Sequence, residues 1–322
     1  MTLSKLAQLA NVSVSVVSKA FSGKGEISDA MREHVFSVAR AHGCFQQFYH
    51  VPYDKPVIAV IVPEVRSRYY VRYIEQLGRA LEQKGYTMLL SISNFDCNLT
   101  TELVRYYTVH GKVDGLLLLS GLADLPDVGD CAIVSMVANQ ELPFVQTDLA
   151  TGLREALCHL REHGHRRIGY IGEELTRSKQ ELFLQLCAEL SLEARPEWTV
   201  CSQHRFEEAG ADGVQRILGQ KDRPDALFCA YSYITRGALA ELRANGLRIP
   251  HDLSILSMDS DSAPLDDVLD IAHIPSQIER CCEAALALLG EQLRKKSARK
   301  PSHIAIPTEF HAGNSIRTAD KI

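Results

Sequence analysis

The sequence predicts an α/β protein: a small N-terminal head of three helices, then a two-lobed clamshell built on parallel sheets. Three observations carry this. The chain has 322 residues with 46% apolar content, too long for one ordinary compact core and apolar enough to bury several. Its first 25 residues hold Lys5, Lys19 and Lys24 and no acid, and they break into short capped helical stretches. From Val57 onward, short apolar runs alternate with helical stretches, and the alternation restarts midway.

Composition excludes several classes. Charged residues at 23% and aromatics at 7% are ordinary globular values, so disorder, collagen and coiled-coil readings fall away. No run of eighteen apolar residues occurs, so no membrane span is expected. Met1-Thr2-Leu3-Ser4-Lys5 lacks the basic-then-apolar block of a secretory signal, which places the expected location in the cytosol. The nine cysteines are odd in number and scattered, with no C-x-x-C pair, and read as small buried thiols rather than a disulfide frame or metal site. A formal net charge of −5 argues against nucleic acid, but the charge is uneven. Residues 1–56 carry +2 and the remainder −7, an arrangement of basic head on acidic body seen in nucleic-acid binders.

The head reads element by element. Thr2 or Ser4 caps a first helix ending near Ala10, with Leu6, Ala7 and Ala10 facing inward. Asn11 tolerates the left-handed conformation of a tight turn. Ser13 caps a second helix running to about Ser22, whose inner stripe is Val17, Ala20 and Phe21. Val14, Ser15, Ser18, Lys19 and Ser22 face out. Gly23-Lys24-Gly25 breaks that helix, and Ser28 caps a third that stops at Gly43. Two helices joined by a tight turn, the second opening with small polar residues, make a helix-turn-helix. Short side chains let such a helix sit deep in the major groove, where Ser13, Ser15, Ser18, Lys19, Ser22 and Lys24 reach bases or phosphates. The plainer reading is a helical cap with a solvated serine face.

The body follows the same logic. Pro56 to Pro63 is a buried strand, followed by a helix over about 70–84 and a strand over 87–93. A helix around 102–109 and strands at 113–119 and 133–137 complete β-α-β-α-β. The pattern then restarts: a helix over 150–163, a strand at 168–171, helices near 179–190 and 207–218, a strand at 226–230, a helix over 233–245 and a strand at 253–258. Two similar halves imply two lobes with a cleft, into which parallel strand ends open. Neither phosphate-binding glycine motif is present, nor H-E-x-x-H, nor a G-x-S-x-G elbow, so no cofactor and no enzymatic step are expected. His163-Gly164-His165-Arg166-Arg167 lies between helix and strand and reads as a solvated basic turn.

Leu6-Ala7-Gln8-Leu9-Ala10-Asn11-Val12-Ser13-Val14-Ser15-Val16-Val17-Ser18-Lys19 resembles the head of the LacI/GalR repressor family. Ile61-Val62-Pro63-Glu64, Val113-Asp114-Gly115-Leu116, Gly164-His165-Arg166-Arg167-Ile168, Asn245-Gly246-Leu247-Arg248-Ile249-Pro250 and Pro307-Thr308-Glu309 are similar to the family's body. The resemblance implies a periplasmic-binding-protein-like clamshell and a regulator that binds operator DNA as a homodimer, with a small-molecule effector between the lobes. It divides the chain into a DNA-binding head (1–45), a linker (46–56), an N-lobe (57–148 plus 275–299) and a C-lobe (149–272 plus 303–322). By the resemblance Val14, Ser15 and Lys19 touch bases and Ser18 touches phosphate. Val16 replaces the usual Thr and Lys19 the usual Arg, which weakens or alters base reading because Lys lacks the planar fork.

The linker departs from the family. Its usual hinge text is missing between Gly43 and Pro56, and Pro52 and Pro56 favour an extended connector. Phe45, Phe48 or Tyr49 then either wedge into DNA or pack on the head or a partner subunit. In the cleft the resemblance implies Tyr69, Tyr70, Asp148, Lys179 and Asp259 as effector residues, and Arg66, Asn94 and Tyr231 are further candidates beside them. Tyr231-Ser232 stands where the family commonly reads N-D, so a carboxylate for sugar hydroxyls is gone and a common hexose is not expected. A smaller, more aromatic or anionic effector fits instead, with Arg66, Arg68 and Lys179 as partners. Two alternatives stay open: a solute-binding clamshell without gene regulation, and a regulator with a degenerate, empty cleft.

Overall fold

Thr2 begins the fold by capping a helix. Its hydroxyl accepts from Lys5 N and starts α1 (Leu3–Leu9), Ser13 accepts from Val16 N for α2 (Val14–Ser22), and Ser28 accepts from Met31 N for α3 (Asp29–Ala41). Each cap satisfies one of the N–H groups a helix start leaves without a partner. These elements belong to a computed structural model that describes residues 1–23, 25–48, 55–111, 113–259, 266, 269–295 and 301–317. The chain divides into two compact units, Met1–Lys55 and Pro56–Ile322.

In the first unit Asn11 takes a left-handed φ of 53°, and Val12 N–H bonds back to Ala7 O at 3.0 Å, so the chain reverses between α1 and α2. Leu6, Val17, Val35 and Ala39 are fully buried, with Phe21 and Phe36 beside them. A short fourth helix, α4 (Phe45–Phe48), covers this core. The Phe45 ring stands edge-on to Phe36 at 5.1 Å and Phe48 lies 5.6 Å from Phe21. Two of the three rings offered as DNA wedges therefore pack against the head's own core, where they shed apolar surface from water. Tyr49 and Lys24 lie outside the described residues.

The second unit holds two parallel sheets. The first contains β1 (Val57–Val62), β2 (Thr87–Ile92), β3 (Gly115–Leu118), β4 (Ala132–Ser135), β5 (Phe144–Asp148) and β11 (His303–Pro307), in the order β11-β5-β4-β3-β1-β2. The second contains β6 (Ile168–Glu173), β7 (Thr199–Ser202), β8 (Ala226–Cys229), β9 (Ser254–Asp259) and β10 (Ala272–Pro275), in the order β10-β9-β8-β6-β7. Setting β11 aside, both sheets wind outward from their first strand with the same order, so each reverses direction beside that strand. Helices α5 (Arg68–Gln83), α6 (Cys97–Tyr106) and α11 (Ile278–Lys295) belong to the first lobe, and α7 (Leu149–Glu162), α8 (Arg177–Glu189), α9 (Phe206–Leu218) and α10 (Ser232–Ala244) to the second. Among the described residues no helix is long and apolar enough to cross a membrane.

Two details differ from the sequence reading. Residues 303–307 pair with β5 in the first sheet, Ile304 opposite Val145 and Ile306 opposite Thr147, rather than joining the second lobe. The Ile304 and Ile306 side chains pack into the first lobe's core, which draws the strand there. Only beyond Thr308 does the chain rejoin the second lobe, where His311 bridges His273 and Ser315 Oγ donates to Ile255 O. The basic turn at 163–167 is not simply solvated: His165 is fully buried, with Nδ1 3.3 Å from Asp225 and Nε2 2.9 Å from Arg317 O.

Helices α9 and α10 touch backbone to backbone. A methyl on Gly237 would overlap the Glu207 carbonyl, and one on Gly210 would overlap the Ile234 carbonyl. Glycine here lets the helices approach closely and fixes their N-termini side by side. We expect Gly237→Ala to destabilise the protein by about 3 kcal/mol in urea unfolding, because backbone cannot yield as a flexible side chain would. Gly219→Ala, at the end of α9 with only ordinary contacts at 3.5 Å, should cost less than about 1 kcal/mol.

Candidate functional site

Two surfaces carry the chemistry. On the head, Ser13, Val14, Ser15, Ser18 and Ser22 are exposed along one face of α2. Lys19 is half-buried, its stem laid against Gly25, where a Cβ would come within 3.1 Å of Lys19 Cε. Neither α1 nor α2 has an acid in its first turn, so the positive end of α2 is not neutralised from within. The remaining head arginines are engaged, Arg32 with Asp29 at 3.5 Å and Arg40 with Glu33 at 2.7 Å. The face therefore offers short hydroxyls and a small apolar side chain at a capped helix start, with Lys19 in the last turn. That combination suits a major groove.

In the second unit a cavity of about 480 Å³ opens at the carboxyl ends of β1, β3, β6 and β8. Those are the strands flanking the reversal in each sheet, where open parallel sheets leave a crevice. The first lobe lines it with Glu64, Ser67, Tyr69, Tyr70 and Phe95, and the second with Glu173, Thr176, Lys179, Arg205, Phe206, Tyr231 and Tyr233. The rings form two clusters, one on each lobe. Tyr69 meets Tyr70 at 5.0 Å, Tyr70 meets Phe95 at 6.1 Å, and Phe206 meets Tyr233 at 5.1 Å.

Local backbone explains how these rings are aimed. Phe95 and Phe206 hold left-handed φ values of 61° and 59°, sparsely populated for a residue with a Cβ. Phe206 opens α9 with no side-chain cap from Arg205; its N–H donates to Tyr231 Oη at 3.1 Å instead. That bond ties the starts of α9 and α10 together beneath the cavity. Burial, and then the neighbouring Glu173 carboxylate, push the Tyr231 phenol up, so it stays protonated. Burial does the same for Tyr69 and Tyr70.

The charges are buried and uneven. Glu64 and Glu173 are only 6% and 3% exposed. Arg205 forks onto Glu64 with both distances 2.9 Å, and its Nε lies 3.3 Å from Glu173 Oε1. Among the described residues Glu173 Oε2 and Ser67 Oγ are buried without a hydrogen-bond partner, while the Glu173 carboxylate also accepts from the Thr176 N–H and stands beside the Tyr231 phenol; both residues line the cavity. Such atoms are costly unless something supplies the missing bond. Lys179 donates to Ala230 O at 3.1 Å, and burial lowers its pKa to about 8, only partly offset by Glu173.

The sequence reading and this geometry overlap in part. Tyr69, Tyr70, Lys179 and Tyr231 line the cavity. Arg66 does not; its guanidinium lies 5.4 Å from the Phe206 ring, outside the lining. Asn94 sits in an exposed turn at φ 53° and serves to aim Phe95. Asp148 is the N-cap of α7, bonded to Thr151 N at 3.3 Å and Thr151 Oγ1 at 2.6 Å, so its carboxylate is spent on the helix. The side chain of Asp259 lies outside the described residues. Glu173, Arg205, Phe206 and Tyr233 were not singled out. Their signal was position alone: each sits at a strand end or at the start of the helix that follows.

Residues 2–44 match the description of bacterial regulatory proteins of the lacI family, and residues 157–316 that of a periplasmic binding protein-like domain. The chain is 28% identical over 273 residues to the ribose operon repressor of Haemophilus influenzae, covering 80% of this chain and 81% of that protein. It is 28% identical over 335 residues to the transcriptional repressor PurR of Erwinia tasmaniensis, covering 95% and 94%. Among solved structures, the lac repressor dimer bound to operator and the anti-inducer ONPF superposes with a TM-score of 0.71 at 15% identity, covering 98% of this chain and 99% of that one.

The lowered Lys179 pKa makes a testable statement about stability. Between pH 10.5 and about 8 the unfolded chain takes up this proton before the folded one does. Stability therefore falls as pH drops through that window and stays level below it. Lys179→Met should raise stability at pH 7 by about 1 to 3 kcal/mol in urea unfolding. The gain should vanish above pH 10.5, where both states hold a neutral lysine; a gain independent of pH would assign it to packing.

Proposed function

The chain belongs to the LacI/GalR family of bacterial regulators, and from that premise we propose how it acts as a sequence-specific transcriptional repressor whose operator affinity is modulated by a small molecule held between its lobes. The observation that carries the DNA reading is the exposed face of α2. Val14, Ser15 and Lys19 read base edges there, while Ser13, Ser18 and Ser22 contact phosphate or sugar. Lys24 extends the same basic edge in the sequence. The acidic body repels DNA and leaves contact to the head, and binding operator DNA calls for a protein that works in the cytoplasm.

Two heads are needed to read a near-palindromic site, which calls for a homodimer. The edge strand β2 supports this, since Leu89, Leu90 and Ile92 stand about 40% exposed along it. An apolar edge of this kind is normally covered. We assign it to the second copy.

The cavity chemistry narrows the effector. Rings from both lobes favour a flat molecule, and Ser67 Oγ and the Glu173 carboxylate suit one that offers an N–H or O–H donor. Arg66 and Arg68 lie outside the lining, and burial lowers the Lys179 pKa to about 8. These points favour a neutral or donor-bearing ring over an anion, and over a hexose. Binding shifts operator affinity by a coupling of about 1 to 3 kcal/mol. The two orphaned polar atoms speak against an empty, degenerate cleft, and the helix-turn-helix head speaks against a plain solute-binding protein.

Operator selection from a random duplex library should yield a near-palindrome. On that site Lys19→Ala should weaken binding about tenfold or more in a gel shift, and wild-type affinity should fall steeply with salt. Equal binding of wild type and variant to every duplex would overturn the DNA reading. A thermal-shift series should show stabilisation by flat, donor-bearing heterocycles and none by hexoses or small carboxylic acids.

A further inference from the structure

Arg205 belongs to the second lobe, but its guanidinium is spent mainly on the first. Both terminal nitrogens fork onto Glu64 at 2.9 Å, just beyond β1, while Nε keeps Glu173 of its own lobe at 3.3 Å. The cation is also sandwiched between rings of both lobes, 5.5 Å from Phe95 and 4.5 Å from Phe206. Glu64, as its hydrogen-bond partner, holds the guanidinium firmly charged. Other contacts cross the cleft in the same place. The Arg68 N–H donates to Tyr233 Oη at 3.3 Å, and Arg66 lies against Phe206.

A planar cation forked onto a carboxylate between two rings is the kind of bridge a flat ligand makes when it closes a clamshell. Here the chain supplies it. We propose that Arg205 is a built-in latch and Glu64 its catch, holding the two lobes closed around the cavity before any effector enters.

The physics favours a firm latch. Two carboxylates buried this deeply share one guanidinium, and separating the lobes would strip Glu64 of it. A bidentate, charge-assisted pair in a poorly solvated site is far stronger than an exposed one. Removing one partner leaves a buried charge uncompensated. Arg205 keeps Glu173 when the lobes part, so the opening cost falls on Glu64 alone. Beside the latch the cavity keeps a volume of about 480 Å³ lined by Ser67, Lys179 and the rings of both lobes, which leaves room for a ligand.

Hydrogen exchange on the full-length, unliganded protein tests this. Segments 63–70, 93–97 and 203–206 face the cavity from both lobes. We expect slow exchange there in the wild type, and roughly tenfold faster exchange in Glu64→Gln and in Arg205→Lys. The double variant should exchange no faster than either single one, because both remove the same fork. The helices of the head serve as an internal control and should not change. Wild-type rates in both single variants would overturn the latch, as would wild-type segments already exchanging at the variant rate. Should Arg205→Lys fail to fold, Glu64→Gln decides alone, since it removes charge while keeping shape. The readout involves neither DNA nor effector, so a failed gel shift on the same samples would count against the regulatory reading and leave the latch standing.

Discussion

Parallel strands impose the constraint on which this molecule depends. A strand in such a sheet must hand the chain to a crossover at its carboxyl end, and where the winding order reverses, neighbouring crossovers leave on opposite faces. Both sheets reverse beside their first strand, β1 in one lobe and β6 in the other. The crevice at each reversal is lined by whatever residues follow those strands. Glu64 comes just after β1, Glu173 ends β6, and Tyr231 follows β8 by two residues. The chemistry of the cavity is thus written at positions chosen by topology, and the close glycine contact of α9 with α10 brings Arg205 and Phe206 to the same place.

The head was legible because its determinants are local. Thr2, Ser13 and Ser28 cap within three residues, and Asn11 turns the chain by its own φ. In the body the long apolar runs were readable, while β5, β7, β10 and β11 were not. Those strands are short and mixed, as in Thr199-Val200-Cys201-Ser202, and three of them lie at sheet edges, where an alternating or continuous apolar signal is not required. The α4 aromatics were visible, but whether they faced DNA or their own core depended on Phe21 and Phe36, which no periodicity relates to them.

The site divides in the same way. Tyr69, Tyr70, Lys179 and Tyr231, which line the cavity, each belong to a local pattern visible in this chain. Asp148 instead caps α7, a role that a carboxylate after a strand serves well. The Glu64–Arg205 pair was out of reach, since its partners are 141 positions apart and nothing in either neighbourhood marks them. Long-range charge pairs of this kind are decided by the fold and can only be read once it is known.

The hinge has a consequence of its own. The chain passes between lobes after β5, after β10 and after β11, and the crossings are stitched together: Thr147 Oγ1 donates to Ser276 O at 3.1 Å, and Thr308 Oγ1 donates to Asp148 O at 2.9 Å. Parallel straps joined side by side bend together or not at all. They resist twist and shear while permitting rotation about the single line on which they lie. Rotation about that line therefore bends all three crossings at once, like a door on aligned pins, and whatever enters the cavity acts on the angle of that door.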